Sequence, residues 1–230
     1  MDSILHTTAG APDEVQPYEL VIFDCDGVLV DSERITARVF ADMLGELGLA
    51  VTLQDVFDRF VGKSLDQCLE TVSRSLGREV PPEFALEYRT RSGLALHSEV
   101  KAVDGIEAVL AAMRVPFCVA SNGTHDKMRT TLGATGLLDS FSGKMFGIGD
   151  VTRGKPFPDL FLHAAARCGA PPSKCAVIED TPTGVSAGVA AGMTVYGYSA
   201  LTPAHRLTEA GAHRTFDRME RLPALLGISR

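Results

Sequence analysis

Acidic, hydroxyl and amine side chains follow short apolar runs along this 230-residue chain. Asp24 and Asp26 follow the first run, Ser121 the second and Lys155 the third, while Glu179–Asp180 end the fourth. Carboxylate oxygens suit Mg²⁺, which is commonly held by one or two carboxylates with waters and a substrate phosphate. An aspartate can also act as a nucleophile, and a hydroxyl or ammonium group can hold phosphate oxygens as charge moves. These residue types together predict phosphoryl transfer.

The apolar runs themselves are typical of buried parallel strands, because they are β-branched or aromatic and nearly continuous in apolar character. They alternate with longer segments of helical spacing, which is the pattern of a parallel sheet covered on both faces. Ligands of such sheets bind outside the carboxyl ends of the strands, so the polar residues are expected to meet at one edge. The predicted strands are Glu19–Asp24, Pro116–Ser121, Lys144–Ile148, Cys175–Glu179 and Met193–Gly197.

One stretch interrupts the alternation of strands and helices. Residues 35–100 contain no convincing strand, and their apolar residues recur at helical spacing. We therefore predict an α/β fold, with a Rossmann-like parallel-sheet core at 18–34 and 101–230 and an all-helical cap inserted at 35–100. Residues 1–17 have neither the basic nor the apolar region of a signal peptide, and we predict a flexible lead-in there.

The charge balance limits the class of partner. The chain has 22 basic and 29 acidic residues and a formal net charge of −7. Nucleic acids and anionic membranes bind basic surfaces, so neither is expected as a partner, whereas a small phosphorylated metabolite is compatible with this balance. Five cysteines, odd in number and without CxxC spacing, predict reduced thiols and a cytoplasmic protein. Monomer and homodimer both stay open.

Four segments resemble the motifs of the haloacid dehalogenase superfamily in their order along the chain. They read DCDGVLVDSE, VASNG, GKPFPD and VIEDTPTGVSAGVAAGM. The similarity extends from about residue 20 to about residue 226. The helical insert resembles the cap of the subgroup that contains phosphoglycolate phosphatase and β-phosphoglucomutase. The segments FVGKSLDQCLE and SNGTHDKM are similar to those of sugar-phosphate phosphatases, including enzymes of the 6-phosphogluconate type.

The resemblance implies a role for each motif residue. Asp24 would be the nucleophile and Asp26 the general acid and base. Ser121 and Lys155 would bind the phosphate. The ligands implied for Mg²⁺ are Asp24, the backbone carbonyl of Asp26, and Asp180, with Glu179 in support directly or through water.

Further residues near the motifs are candidates for contact with the substrate. Lysines and arginines are mostly solvated, so only the position of each one favours a contact. Lys63, for example, lies in FVGKS between two helical patterns, where the analogous cap loop is expected to face the core. The candidate substrate contacts are Gly27, Asn122, Gly123, Lys63, Arg34 and His125.

Two alternatives to hydrolysis stay open at this point. The first is a phosphosugar mutase of the β-phosphoglucomutase type. Mutases usually carry a His in the helix after DxDG and an Arg in the cap, and this chain has Thr36 and Leu65 at those places. The second is a catalytically silent regulatory protein that binds metal or phosphate, which would not need both Asp24 and Asp26. The sequence favours a Mg²⁺-dependent phosphomonoesterase that acts on a sugar or sugar-acid phosphate through an aspartyl-phosphate.

Overall fold

The computed structural model describes residues 18–60 and 65–228. The lead-in predicted at 1–17 and the candidate substrate contact Lys63 lie outside the described residues.

A six-stranded parallel sheet forms the centre of the molecule. Its strands are β1 (Leu20–Phe23), β2 (Phe117–Ala120), β3 (Met145–Phe146), β4 (Cys175–Glu179), β5 (Thr194–Tyr198) and β6 (Arg214–Phe216). They lie in the order β3-β2-β1-β4-β5-β6, so the first strand is flanked by β2 and β4. Val21 of β1 is aligned with Phe117 on one side and with Ala176 on the other. Ligands bind where the strand order reverses in this way, outside the carboxyl ends of the strands.

Helices cover both faces of the sheet, as predicted for buried parallel strands. Successive side chains of a strand point to opposite faces, and Ile22 and Phe23 of β1 accordingly belong to two separate apolar layers. The helices of this core are α5 (Ile106–Ala112), α6 (His125–Ala134), α7 (Asp159–Cys168), α8 (Pro182–Ala190), α9 (Ala204–Glu209) and α10 (Leu222–Leu225). Short 3₁₀ turns lie at Leu138–Phe141, Ile148–Asp150, Pro172–Lys174 and Met219–Arg221.

The helices between β1 and β2 have an apolar core of their own. The ring of Phe40 packs edge-on against Phe60, Phe84 and Tyr88, with centroid distances between 5.2 and 6.0 Å. This aromatic cluster holds the insert together independently of the sheet. The helices of the insert are α1 (Glu33–Glu46), α2 (Leu53–Arg59), α3 (Leu65–Leu76) and α4 (Phe84–Glu99).

The chain enters and leaves the insert at the same place. Val30 and Ala102 form an antiparallel bridge, and the backbone N–H of Asp31 donates to the carbonyl of Lys101 at 2.9 Å. The two connections to the insert are therefore held side by side, directly after the loop that carries Asp24.

The predicted α/β core with a helical insert is confirmed, and five of the six strands overlap the predicted runs. The sixth strand, Arg214–Phe216, was not predicted. It has three residues, begins with an exposed arginine and lies at an edge, so it has no continuous apolar run. No helix of the described ranges is long and apolar enough to cross a membrane.

Candidate active site

The loops after three neighbouring strands bring polar side chains to one edge of the sheet. Asp24 follows β1, Ser121 follows β2 and Asp180 follows β4, and all three are buried. Two of these residues still form backbone hydrogen bonds with the neighbouring strand. The N–H of Asp24 donates to the carbonyl of Ile178 at 2.9 Å, and the N–H of Ser121 donates to the carbonyl of Phe146 at 3.0 Å. Their side chains are therefore held at the carboxyl edge by the sheet itself.

Lys155 lies at the centre of this edge. Its Nζ is 2.5 Å from Oδ1 of Asp24 and 2.8 Å from Oε1 of Glu179, and it also lies 4.7 Å from the ring centroid of Phe161. Burial alone lowers the pKa of Lys155, but the charges of Asp24 and Glu179 raise it further than burial lowers it. The ammonium group therefore stays charged between its two carboxylate partners.

Asn122 fixes the backbone around Lys155. Its Nδ2 donates to the carbonyl of Lys155 at 3.0 Å, and its Oδ1 accepts from the N–H of Lys155 at 2.8 Å. The neighbouring Ser121 Oγ accepts from the N–H of Gly123 at 3.0 Å. Asn122 and Gly123 both line the cavity described below, but the side-chain amide of Asn122 is already used by the protein.

Both carboxylate oxygens of Glu179 also have protein partners. Oε1 accepts from Lys155, while Oε2 accepts from the backbone N–H and the hydroxyl of Thr181 at 2.8 and 2.9 Å. Thr181 is at the same time the N-cap of α8, where its Oγ accepts from the N–H of Gly184. The start of α8 thus fixes Glu179 against Lys155.

The carboxylate of Asp26 is held from two sides. Ser32 Oγ donates to Oδ1 at 2.5 Å, and Lys127 Nζ donates to Oδ2 at 2.7 Å. Burial raises the pKa of Asp26, but Lys127 and Ser32 lower it more, so that the pKa lies below its ordinary value. Ser32 occupies the N-cap position of α1 without capping that helix, because its hydroxyl is directed to Asp26.

Asp180 has no such partners. Both of its carboxylate oxygens are buried and without a hydrogen bond among residues 18–60 and 65–228. Burial raises the pKa of Asp180 well above its usual range, and Glu33 and Glu179 raise it further. Burial likewise raises the pKa of Asp24 to about 7, although Lys155 opposes the shift. A buried anion without a partner is costly, so this edge favours an additional cation.

The donor set at this edge fits Mg²⁺. No three His, Cys, Asp or Glu side chains of the described segments form a complete metal-binding group. Mg²⁺ does not need one, because it usually keeps several waters and takes one or two carboxylates together with substrate phosphate. Asp24 and Asp180 can supply those two carboxylates, and the backbone carbonyl of Asp26 can supply a third oxygen.

A cavity of about 1250 Å³ opens between this edge and the helical insert. It is lined by the catalytic candidates of the core and by Glu33, the first residue of α1, whose Oε2 is also buried without a partner in the described part of the chain. The insert contributes hydroxyl and amide groups from Thr36, Gln67, Tyr88 and Ser92, together with apolar and charged side chains. Thr36 and Leu65, the positions where mutases carry His and Arg, also line the cavity. Residues of the insert at the cavity include Thr36, Leu65, Gln67, Tyr88, Arg89 and Ser92.

Three candidate substrate contacts do not line the cavity. Arg34 has 59% of its side chain exposed and lies 3.9 Å from Asp31 at the surface. His125 Nε2 lies 2.8 Å from Oδ2 of Asp150, which belongs to the 3₁₀ turn after β3. Gly27 packs against the carboxylate of Asp180. The structure thus brings neither Arg34 nor His125 to the cavity.

Four residues of this site were missed in the sequence: Ser32, Glu33, Lys127 and Thr181. Ser32 and Glu33 lie in the first motif and Thr181 in the fourth, but the resemblance gave none of them a role. Lys127 lies in the first turn of α6, where Thr124 caps the helix by accepting from the N–H of Lys127. Its contact with Asp26 joins residues that are 101 positions apart, so only the folded arrangement reveals it.

Comparison with known proteins agrees with this architecture. Residues 18–192 match the family of haloacid dehalogenase-like hydrolases. The chain is 35% identical to the 6-phosphogluconate phosphatase of Escherichia coli, over 90% of this chain and 94% of that protein. It is 29% identical to hexitol phosphatase A of Escherichia coli, over 82% of this chain and 86% of that protein. A solved structure is also similar: the crystal structure of a HAD family hydrolase from Deinococcus radiodurans with bound phosphate and sodium. It superposes with a TM-score of 0.81 at 34% sequence identity, and the match covers 93% of this chain and 97% of that one.

Proposed function

The chain belongs to the haloacid dehalogenase-like hydrolases and is a phosphatase, and from this premise we propose that it hydrolyses phosphate esters of small sugars or sugar acids with Mg²⁺. The observation that carries the proposal is the buried Asp24, which is paired with Lys155 beside Asp180, whose carboxylate oxygens have no hydrogen bond among the described residues. This arrangement supplies a nucleophile, a cation for phosphate oxygens and an acidic residue that is available to a metal ion.

The first step is attack by Asp24. A carboxylate oxygen of Asp24 forms a bond to phosphorus, and the bond between phosphorus and the ester oxygen breaks. Asp26 donates a proton to the departing sugar oxygen, so that the sugar leaves as an alcohol. Lys155 and the hydroxyl of Ser121 hold the phosphate oxygens as charge develops on them.

The second step releases inorganic phosphate. Asp26, now a carboxylate, accepts a proton from water as that water attacks phosphorus of the aspartyl-phosphate. The bond between phosphorus and Asp24 breaks, and Asp24 returns to its carboxylate form. Ser32 and Lys127 hold Asp26 in place from both sides, which supports its use in both steps.

Asp24, Asp180 and the backbone carbonyl of Asp26 would hold Mg²⁺. When bound, the ion would offset the repulsion between these carboxylates and the anionic substrate and would stabilise charge on the phosphoryl oxygens. The role of Glu179 in this proposal is to orient Lys155, since both of its carboxylate oxygens already accept hydrogen bonds.

The lining of the cavity supports a sugar as the leaving group. Hydroxyl and amide side chains of the insert can hydrogen-bond to a polyol, and relatives of this chain are named 6-phosphogluconate phosphatase and hexitol phosphatase. Thr36 and Leu65 lie in the cavity where a mutase carries His and Arg. Hydrolysis is therefore favoured over transfer of the phosphoryl group back to the sugar.

Phosphate release by Asp24→Asn tests this proposal. We expect wild-type protein to release phosphate from p-nitrophenyl phosphate and from sugar phosphates, and the variant to lose on the order of 10³-fold or more in kcat. Asp139→Asn is the matched control, because Asp139 is exposed and does not line the cavity. Wild-type turnover by a folded Asp24→Asn protein would overturn the nucleophile, and conversion of a sugar phosphate to an isomer without phosphate release would indicate a mutase.

A further inference from the structure

The charge that the protein brings to the cavity is mostly negative. Among the described residues that line it, the carboxylates are Asp24, Asp26, Glu33, Asp126 and Glu179, and the cations are Arg89, Lys127 and Lys155. Asp180 lies against Gly27 at the same edge of the sheet and adds a further carboxylate. The acidic side chains at this edge therefore outnumber the basic ones.

Four of these carboxylates have a cationic partner. The ion pairs are Asp24 and Glu179 with Lys155, Asp26 with Lys127, and Asp126 with Arg129. Glu33 and Asp180 differ from them. Oε2 of Glu33 and both carboxylate oxygens of Asp180 are buried and accept no hydrogen bond from the described residues. Asp180 is a proposed Mg²⁺ ligand, so the carboxylate of Glu33 is the one that the proposed mechanism does not use.

The backbone places Glu33 beside the proposed metal site. Glu33 is the first residue of α1 and directly follows Ser32, whose Oγ donates to Asp26 at 2.5 Å. This hydrogen bond holds the start of α1 against the loop whose carbonyl at Asp26 is a proposed Mg²⁺ ligand. Burial, together with the charges of Asp26 and Asp24, raises the pKa of Glu33 to about 8. Burial and then the charge of Glu33 raise the pKa of Asp180, so Glu33 lies near all three proposed ligands.

The coordination of Mg²⁺ leaves a place for such a residue. The ion prefers near-octahedral coordination and usually keeps several of its waters. The three protein oxygens proposed for it leave positions for such waters beside the substrate phosphate. Carboxylates outside the ligand set commonly accept hydrogen bonds from the ligands and orient them. A buried carboxylate oxygen without a donor is suited to this role.

We infer that Glu33 is a positioning residue of this site, which accepts a hydrogen bond from water bound to Mg²⁺. The inference rests on the proposed function and deepens it, because it adds a residue of the insert to a metal site otherwise built by the core. Oε2 of Glu33 gains a donor in this arrangement, and the ion offsets its buried charge. Since Glu33 begins the first helix of the insert, the occupied metal site also fixes the place where the insert starts.

Mg²⁺ titrated into the metal-free full chain tests the inference by calorimetry, without substrate. We expect Glu33→Gln to weaken Mg²⁺ binding by about 10–100-fold, which is the usual effect of removing such an outer partner. Asp180→Asn, which removes a proposed direct ligand, should abolish binding. Without Mg²⁺, Glu33→Gln should melt no lower than wild type, because it removes a buried charge that has no partner among the described residues. A loss of Mg²⁺ affinity at unchanged melting temperature separates metal positioning from a purely structural role.

Asp126→Asn is the matched control for charge. Asp126 also lines the cavity, but its side chain is 95% exposed. Exposed charges are screened by salt, so this variant should bind Mg²⁺ within about twofold of wild type. An equal loss of affinity in Glu33→Gln and Asp126→Asn would assign the effect to the net charge of the cavity and overturn the inference.

The remaining outcomes separate this inference from the proposed function. Unchanged Mg²⁺ affinity in Glu33→Gln would overturn the inference, and a lower kcat/KM for sugar phosphates alongside it would assign Glu33 to the leaving group instead. Complete loss of binding, as in Asp180→Asn, would make Glu33 a direct ligand and would also overturn it. The proposed function stands in each of these cases. Absence of Mg²⁺ binding by the wild-type protein would instead contradict the metal of the proposed function.

Discussion

Gly27 and Asp180 lie so close together that the carboxylate of Asp180 occupies the place where a larger residue at position 27 would carry its Cβ. Gly27 also has a φ of +78°, which other residues rarely adopt. Two separate constraints therefore require glycine at position 27 of the first motif. One is the positive φ of its backbone, and the other is the close approach of the Asp180 carboxylate. This relationship predicts different effects for glycine substitutions that share the same backbone conformation.

Gly27→Ala should destabilise the protein more than Gly192→Ala. Gly192 has a φ of +74° but open space around its Cβ position, so its replacement should cost about 1 kcal/mol from backbone strain alone. Gly27→Ala adds a collision with Asp180, and overpacking of this kind costs a further ~1–3 kcal/mol. Urea denaturation measures both free energies of unfolding, and equal losses would show that the contact with Asp180 contributes nothing.

Mg²⁺ should stabilise the wild-type protein through Asp180. A ligand that binds only the folded state raises the free energy of unfolding by about 2.7 kcal/mol when its concentration is 100 times its Kd. The melting temperature should therefore rise with Mg²⁺. Asp180→Asn should abolish that rise. It should not lower the melting temperature without Mg²⁺, because it removes a buried charge that has no partner among the described residues. Asp139→Asn serves as the control, and a full Mg²⁺ response in Asp180→Asn would rule out this ligand.

Lys155→Met should be strongly destabilising because it leaves Asp24 and Glu179 buried without their shared cation. Removing one partner of a buried pair costs about 3–5 kcal/mol. Adding Glu179→Gln to the variant should recover part of that loss, since one of the two uncompensated charges is removed. Denaturation of both variants measures the effect, with Lys101→Met as an exposed lysine control expected within about 0.5 kcal/mol of wild type. A loss no larger than that of the control would contradict the buried ion pair.

Cys168 should be the most reactive of the described cysteines. It is exposed, whereas Cys25, Cys68, Cys118 and Cys175 are buried. A hydrogen bond from Cys118 and the nearby charges of Lys144 and Arg167 lower the pKa of Cys168 to about 7, against the effect of burial. The reactive thiolate therefore increases as the pH rises through 7, and iodoacetamide labelling of Cys168 should increase between pH 6 and pH 8. Peptide mass mapping measures the labelling rate at each cysteine. If the labelling rate of Cys168 reached half of its maximum only near pH 9, the lowered pKa would be contradicted.

The sequence predicts the motif residues of the site well because a simple rule connects them. Asp24, Ser121 and Asp180 each follow an apolar run, and parallel strands place their carboxyl ends at one edge. The contact between Lys127 and Asp26 follows no such rule, since it depends on how α6 lies over the loop after β1. Side-chain direction on a helix is equally hard to foresee, as Glu33 and Thr36 line the cavity while Arg34 lies at the surface.

The fold is predicted best where strands are central and buried. β1 is apolar throughout and β4 is apolar up to Glu179, and both are predicted within a residue of their observed ends. β3 has two residues and β6 three, and both lie at edges of the sheet where pairing on one side suffices. Short edge strands leave too little apolar pattern to separate them from loops. The roles proposed for the site residues and the domain boundaries stay predictions.

The bridge between Val30 and Ala102 has a consequence for how this molecule can be rebuilt. Because the chain departs and returns at adjacent points, the core is joined to the whole insert as it would be to one surface loop. Parts joined in this way are modular: a short turn could replace the insert, or a foreign helical unit could be grafted in its place, while the register of the sheet is kept. If the proposed function holds, substrate preference and phosphoryl chemistry are separable along the chain, and such a graft should exchange the first while it retains the second.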